Sequence, residues 1–113
     1  MSITSVAILG CGNIGSAIAK GLTKSGMNTK NITLTRRKFG QLAEYKDEGY
    51  QVTDDNASAV KNCKTIILSV APGQVMDLLD DIGPHLGQNN LIISIVSGVT
   101  ISELQFSVHL VNF

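Results

Sequence analysis

Short apolar runs alternate along this chain with longer segments whose apolar residues recur at the spacing of a helix. The first and fourth runs are almost continuous, which is typical of strands that are buried on both faces of a parallel sheet, and the second is β-branched and alternating. The alternation therefore predicts an α/β domain with a doubly wound parallel sheet and right-handed crossovers. We predict strands at Ser5–Leu9, Asn31–Thr35, Tyr50–Thr53, Thr65–Val70 and Leu91–Val96, and helices at Asn13–Ser25, Phe39–Gly49, Ala57–Asn62 and Gln74–Ile82. Weaker patterns predict a short helix at Thr100–Leu104 and a sixth strand at Phe106–Phe113.

Two of the predicted helices have a clear apolar face, which we expect to pack on the sheet. The face of the first helix consists of Ile14, Ile18, Ala19 and Leu22, and that of the last consists of Val75, Leu78, Leu79 and Ile82.

A glycine-rich turn joins the first predicted strand to the first predicted helix. It consists of Gly10, Cys11, Gly12, Asn13, Ile14 and Gly15, the arrangement Gly-x-Gly-x-x-Gly. In dinucleotide-binding folds the first glycine permits the tight turn, the second lets the backbone approach a pyrophosphate, and the third lets helix and strand pack closely. The helix N-terminus offers N–H groups and a partial positive charge to the phosphates. Because this turn lies between a strand and a helix, we expect a single Rossmann-type domain that binds a dinucleotide through these six residues.

A basic turn, Thr35-Arg36-Arg37-Lys38, follows the second predicted strand. Folds that bind NAD usually carry Asp or Glu there, hydrogen-bonded to the 2′-hydroxyl of the adenine ribose. An arginine suits the 2′-phosphate of NADP instead, because its planar fork matches the geometry of a phosphate. We therefore expect Thr35, Arg36 and Arg37 to contact NADP in preference to NAD. The alternative is a solvated basic turn that binds no ligand.

Three more strand ends are expected at the same edge of the sheet, where ligands bind in such folds. Asn56 follows the third strand and either caps the next helix or contacts the cofactor. Val70-Ala71-Pro72 follows the fourth strand, where we expect the backbone to pass close to the cofactor, and Pro72 also suits the start of a helix. Ser97-Gly98 follows the fifth strand, where we expect the nicotinamide.

Composition argues against several classes of function. The nine basic and nine acidic residues cancel, and no basic face indicates a nucleic acid or a membrane surface as partner. No apolar run is long enough for a transmembrane helix, and the N-terminus lacks a signal-peptide pattern, so we expect a cytoplasmic protein. In that compartment Cys11 and Cys63 are expected to be free thiols that act as small apolar side chains.

The sequence contains no recognisable catalytic constellation and no cluster of metal ligands. His85 and His109 lie away from the predicted strand ends, and we expect surface or structural roles for them. Asp77, Asp80 and Asp81 are interpreted as a solvated helix face, and the neighbours Asp54 and Asp55 as capping residues. The pattern therefore assigns no catalytic residue and no metal.

Taken together, the motifs resemble the N-terminal NADP-binding domain of pyrroline-5-carboxylate reductase. The matching segments are Ala7–Gly15 with Ala17–Leu22, Thr35–Arg37, Asp54–Asn56, Ile67–Val70 with Pro72, and Ser94-Ile95 with Ser97–Ile101. The resemblance implies proline biosynthesis, in which 1-pyrroline-5-carboxylate is reduced to L-proline with hydride from NAD(P)H. It also implies cofactor contacts at Gly10–Gly15, Thr35, Arg36, Asn56, Val70–Pro72 and Ser97-Gly98, with Asn56 on the adenosine side.

Two departures from the family pattern bear on these expectations. Ala71 stands where the family usually has a lysine. Family members are also much longer, and their all-helical second domain, which forms the homo-oligomer and supplies most of the imine-substrate pocket, is absent from these 113 residues. We therefore expect residues 1–104 to form the dinucleotide-binding domain and leave residues 105–113 without a structural assignment. By this interpretation the chain alone binds cofactor but turns over little or no substrate.

Two other functions are compatible with the sequence. One is a stand-alone NADP-binding or regulatory module without catalysis. The other is a related NADP oxidoreductase with a different substrate, such as a deazaflavin-dependent reductase. Val99-Thr100-Ile101 after Ser97-Gly98 favours the pyrroline enzyme over this last alternative.

Overall fold

The structure is a computed structural model that describes residues 5–10, 12–36, 43–87 and 89–95. Its elements are β1 Val6–Leu9, α1 Asn13–Lys24, β2 Ile32–Thr35, α2 Ala43–Asp47, β3 Gln51–Thr53, α3 Asn56–Asn62, β4 Thr65–Leu68, α4 Val75–Ile82 and β5 Leu91–Ser94. Single 3₁₀ turns lie at Thr29–Asn31, Pro72–Gln74 and Gly83–His85. The elements predicted at Thr100–Leu104 and Phe106–Phe113 lie outside the described residues. Among the described helices, none has the length and apolarity needed to cross a membrane.

All five strands run parallel in one sheet with the order β3-β2-β1-β4-β5. From β1 the chain moves outward through β2 to β3, and then returns across β1 to build β4 and β5 on its other side. This arrangement confirms the predicted doubly wound fold of the Rossmann type. The strand order reverses between β1 and β4, and folds of this kind bind ligands beyond the carboxyl ends of the strands at that point.

Apolar side chains cover both faces of the sheet. On one face, Ala7, Leu9, Ile66 and Leu68 pack against residues of α3 and α4, and on the other, Val6, Ile8, Ile32, Leu34 and Ile67 pack with Ala19 of α1 and with Tyr50. All four residues of β1 are completely buried. Because helices cover the centre of the sheet on both faces, the central strands β1 and β4 are almost continuous apolar runs.

The strand β4 ends two residues earlier than the apolar pattern predicted, and β5 ends at Ser94, before the predicted Ile95. The predicted last residue of β5, Val96, lies outside the described residues. The last residue of β1, Leu9, pairs with Leu68 of β4, which in turn pairs with Ser94 of β5. One further bond follows in each case, from Ser69 N to Leu9 O at 2.9 Å and from Ile95 N to Leu68 O at 3.1 Å. Beyond these bonds, β4 has no further residue of β1 to pair with, and β5 has no further residue of β4. An apolar side chain alone therefore does not extend the ladder.

The apolar face predicted for α4 is buried in full, whereas the face predicted for α1 is buried only in part. All four apolar residues predicted to face the sheet from α4 are buried. In α1, Ala19 is buried and Ile18 and Leu22 are half-buried, but Ile14 is 65% exposed. The prediction that Ile14 belongs to the packed face is therefore wrong, because the first turn of α1 begins at the edge of the sheet, just past the end of β1.

Core packing of α4 provides a test of the fold. Leu79 is fully buried against the sheet, so Leu79→Ala is expected to lower the free energy of unfolding by about 2–5 kcal/mol, through lost burial and a residual cavity. Leu91→Ala is the matched control, because the same atoms are removed from a side chain that is 51% exposed, and it should cost less than about 1 kcal/mol. Urea denaturation followed by circular dichroism measures both. Equal losses in the two variants would contradict this packing.

Candidate functional site

A cleft of about 640 Å³ opens at the carboxyl edge of the sheet, where the strand order reverses. Its size is in the range of small-molecule sites. Residues from the ends of β1, β2, β3 and β4 and from α4 line it: Gly10, Gly12, Thr35, Arg36, Asp54, Asn56, Ser69, Val70, Ala71, Gln74, Asp77, Leu78 and Asp81. The structure thus brings together seven of the residues predicted from the sequence, namely Gly10, Gly12, Thr35, Arg36, Asn56, Val70 and Ala71.

The other residues predicted to contact the cofactor lie in the first turn of α1, in the turn before α4, or outside the described residues. Ile14 and Gly15 are in the first turn of α1 and do not line the cleft. Asn13 is the first residue of α1, and Pro72 is the first residue of the 3₁₀ turn that precedes α4. The remaining predicted residues, Cys11, Arg37, Ser97 and Gly98, are outside the described part of the chain.

Gly10 makes the sharp turn with which the chain leaves β1. Its φ is +81°, a left-handed conformation that only glycine adopts without strain. A side chain would also lack space, because a Cβ at this position would lie 2.4 Å from Cγ1 of Val70. The backbone N–H of Gly10 is directed at Thr35, donating to its carbonyl oxygen at 3.1 Å and to its Oγ1 at 3.2 Å. The turn is therefore fixed between the ends of β2 and β4.

Gly12 has the opposite surroundings. It is the N-cap residue of α1, and a Cβ built on it would meet nothing within 4 Å. Among the described side chains none caps this helix end, and its first turn carries no acidic residue. The cleft therefore gives direct access to the backbone and to the positive end of a 12-residue helix, an arrangement that suits a phosphate group.

A buried hydrogen bond connects the end of β2 to the start of α3. Thr35 is only 1% exposed, and its hydroxyl donates to Oδ1 of Asn56 at 2.5 Å. The N-cap of α3 is Asp55, whose carboxylate accepts from the backbone N–H of Ser58 at 3.2 Å. Of the two roles considered for Asn56, helix capping is thus taken by Asp55, and the Asn56 side chain lies at the cleft.

The turn after β4 borders the cleft and leads the chain into α4. Val70 and Ala71 line the cleft, and the carbonyl of Ala71 accepts from the N–H of Gln74 at 2.9 Å as the chain enters α4. Ala71 is exposed, so the site offers its backbone and a single methyl group where the related family usually has a lysine.

Sequence reasoning missed the contribution of α4 and of Asp54. Asp77 and Asp81 were interpreted as solvated and Asp54 as a capping residue, but all three line the cleft, together with Gln74 and Leu78. The α4 residues lie at spacings of three and four, which places them on one side of the helix. That spacing was the available signal, although it does not distinguish a cleft from open solvent. Among the described lining residues, Arg36 is thus accompanied by three carboxylates.

Other reactive side chains lie elsewhere. Cys63 is buried in the core, where burial raises the pKa of its thiol. Its Sγ donates a hydrogen bond to Thr33 Oγ1 at 3.6 Å. His85 is exposed in the 3₁₀ turn after α4, and His109 lies outside the described residues. Within the described ranges, no group of three or more His, Cys, Asp or Glu side chains is arranged to hold a metal ion.

Comparison with known proteins agrees with this geometry. Residues 5–98 match the family model described as NADP oxidoreductase coenzyme F420-dependent. The chain belongs to this family. It is 48% identical over 101 residues to pyrroline-5-carboxylate reductase 1 of Dictyostelium discoideum, a match that covers 88% of the chain and 18% of that protein. It is 43% identical over 102 residues to pyrroline-5-carboxylate reductase 2 of the same organism, covering 88% of the chain and 34% of the relative. The chain thus spans about a third or less of the length of these relatives.

Solved structures show the same fold. A pyrroline-5-carboxylate reductase from Coxiella burnetii superposes with a TM-score of 0.86 at 23% identity, covering 95% of this chain and 40% of that one. The NADP-bound pyrroline carboxylate reductase of Plasmodium falciparum superposes with a TM-score of 0.80 at 24% identity. The match covers 93% of this chain and 38% of that one. A variant imine reductase from Myxococcus stipitatus in complex with NAD⁺ superposes with a TM-score of 0.72 at 27% identity. The match covers 87% of this chain and 33% of that one. Both forms of the nicotinamide cofactor therefore occur among the structural neighbours.

The two glycines of the turn are expected to differ in their effect on stability. Gly10→Ala should lower the free energy of unfolding by about 2 kcal/mol or more, because alanine is strained at φ +81° and its methyl group would overlap Val70. Gly12→Ala is the matched control and should change it by less than about 1 kcal/mol, since the added methyl group meets open space. Chemical denaturation measures both. If the two variants lost the same stability, the different constraints on these positions would be refuted.

Proposed function

We propose that this chain is the NADP-binding part of a reductase that converts 1-pyrroline-5-carboxylate to L-proline. The observation that carries the proposal is the single cleft into which the glycine turn, Arg36, Asn56 and the turn after β4 all open. The relatives that share 48% and 43% of their aligned residues with this chain are named for that reaction. Bound NADPH would supply the hydride, transferred from C4 of the nicotinamide to the imine carbon.

The pyrophosphate of the cofactor is assigned to the start of α1. The open space at Gly12 supports this assignment, because a phosphate needs to approach the backbone more closely than a side chain at that position would permit. The uncapped positive end of α1 supports it too. In this arrangement the helix orients the dinucleotide through backbone N–H groups.

The adenosine end of the cofactor is assigned to Arg36 and Asn56. Arg36 is exposed directly after β2, within the cleft, where its guanidinium can pair with a 2′-phosphate. Asn56 would bind the adjoining ribose. We further propose that Arg37 assists Arg36, that the backbone at Val70–Pro72 contacts the cofactor, and that Ser97-Gly98 lies near the nicotinamide. A preference for NADP over NAD follows from the absence of Asp or Glu in the turn Thr35–Lys38.

The description of the matching family favours a second candidate, an NADP oxidoreductase whose reaction partner is a deazaflavin such as coenzyme F420. The identity of nearly half of the aligned residues to a pyrroline-5-carboxylate reductase supports the first candidate over this one. Saturable binding of the deazaflavin coenzyme to this chain, in the presence of NADP, would favour the second.

The cofactor preference can be tested through Arg36. Arg36→Ala is expected to weaken NADPH binding about tenfold and to change NADH binding less than about threefold, because only NADPH carries the phosphate that pairs with the guanidinium. Titration followed by nicotinamide fluorescence measures both affinities. Lys24→Ala removes the same charge at the far end of α1 and should leave both unchanged. Gly12→Ala should weaken the binding of NADPH and of NADH by the same factor, because both cofactors carry the pyrophosphate. Equal affinity of the unaltered protein for NADPH and NADH would overturn the assigned role of Arg36.

The division between cofactor binding and catalysis gives another test. The 113 residues correspond to the dinucleotide-binding part of longer reductases, and we propose that residues outside this part bind the imine. The chain is therefore expected to bind NADPH while forming proline far more slowly than a complete reductase. A steady-state assay of NADPH oxidation with 1-pyrroline-5-carboxylate measures this. Proline formation at the rate of a complete reductase would show that these residues contain the whole active site.

A further inference from the structure

Thr35 lines the cofactor cleft, yet its hydroxyl is engaged entirely within the protein. The side chain is 1% exposed, and a hydroxyl has a single hydrogen to donate. That hydrogen goes to Oδ1 of Asn56 at 2.5 Å, while the oxygen accepts from the N–H of Gly10 at 3.2 Å. A direct donation from Thr35 to a bound cofactor would require breaking the bond to Asn56.

The bond to Thr35 determines how the amide of Asn56 is oriented. An amide group has an acceptor oxygen and a donor NH₂ in one plane, so occupying the oxygen fixes the direction of the nitrogen. Among the described residues, Thr35 is the hydrogen-bond partner of the Asn56 side chain, and it donates to the amide oxygen. The donor nitrogen is then available to an acceptor on a ligand in the cleft that Asn56 lines.

We infer that Thr35 is a positioning residue for Asn56. Building on the proposed NADP-binding function, Thr35 holds the Asn56 amide so that Nδ2 donates to an oxygen on the adenosine side of the cofactor. Because the same hydroxyl accepts from the N–H of Gly10, it also fixes the position of Asn56 relative to the turn that leads to the pyrophosphate site. Thr35 thereby couples the two ends of the cofactor site without touching the cofactor through its hydroxyl.

Three substitutions in β2 separate this role from simple packing. Thr35→Val keeps the volume but removes the hydroxyl, and is expected to weaken NADPH binding about 5- to 10-fold, the value of one hydrogen bond. Thr35→Ser restores the hydroxyl and should bind within about twofold of the unaltered protein. Thr33→Val is the matched control, because Thr33 is on the same strand and face but contacts Cys63, and it should also bind within about twofold.

The dependence on Asn56 is tested by a double-mutant cycle. Asn56→Ala is expected to weaken NADPH binding by about the same factor as Thr35→Val. If Thr35 acts through Asn56, then adding Thr35→Val to Asn56→Ala should weaken binding no further. A second full loss in the double variant would show that Thr35 acts independently and would overturn the inference.

A measurement without cofactor distinguishes failure of this inference from failure of the proposed function. In the unliganded protein, the ¹⁵NH₂ resonances of Asn56 should shift in Thr35→Val and return toward their original positions in Thr35→Ser. If the unaltered chain binds neither NADPH nor NADH, the proposed function is wrong and the cofactor role of Thr35 falls with it. If the chain binds NADPH but Thr35→Val binds equally tightly, only the positioning role is wrong. Should Thr35→Val not fold, Asn56→Ala decides, because unchanged NADPH affinity in that variant would refute the inference.

Discussion

The left-handed turn at Gly10 is the constraint on which the arrangement of the cleft depends. It directly follows Leu9, the last residue of β1. Since β1 is central in the sheet, the ladders of β4 and then β5 lose their partners at the same level. The chain leaves the sheet between the ends of β2 and β4, held by Thr35 on one side and in contact with Val70 on the other. The result is a space bordered by four strand ends, with the start of α1 directed toward it. A side chain at Gly10 would overlap Val70 and displace the turn.

The burial of the sheet explains why polar chemistry is confined to its edge. Helices cover β1 on both faces, so its interior has no place for an unpaired polar group. Thr35 is the last residue of β2, and it is buried only because its hydroxyl is paired with Gly10 and Asn56. The strand end is thus the first position along β2 at which a buried hydroxyl has a backbone N–H and an amide within reach. The polar network of the site begins where the hydrogen-bonded ladder stops.

Local sequence signals predicted most of the fold and about half of the candidate site. Continuous apolar runs and the glycine turn are strong signals, so the order of elements was predicted correctly, and Gly10, Gly12, Arg36 and Asn56 lie together at one cleft. Strand ends were not, because the end of β4 depends on where β1 stops and not on its own residues. Asp77 and Asp81 are exposed as expected, but their place at the cleft was not predicted, because an acidic helix face has the same pattern whether it borders open solvent or a cleft. The exposure of Ile14 likewise depends on where the sheet ends beneath α1.

The charges in the cleft limit how it can attract a phosphorylated ligand. Among the described lining residues, Arg36 is outnumbered by Asp54, Asp77 and Asp81, so side-chain charge does not supply a general attraction for anions. The remaining source is the backbone at the start of α1, whose N–H groups and dipole act over short distances and in fixed directions. Such interactions depend on close approach, which the open space at Gly12 permits. Under the proposed function, selectivity in this cleft rests on geometry: the turn at Gly10 has to present Gly12 and α1 to the dinucleotide before Arg36 can discriminate NADPH from NADH.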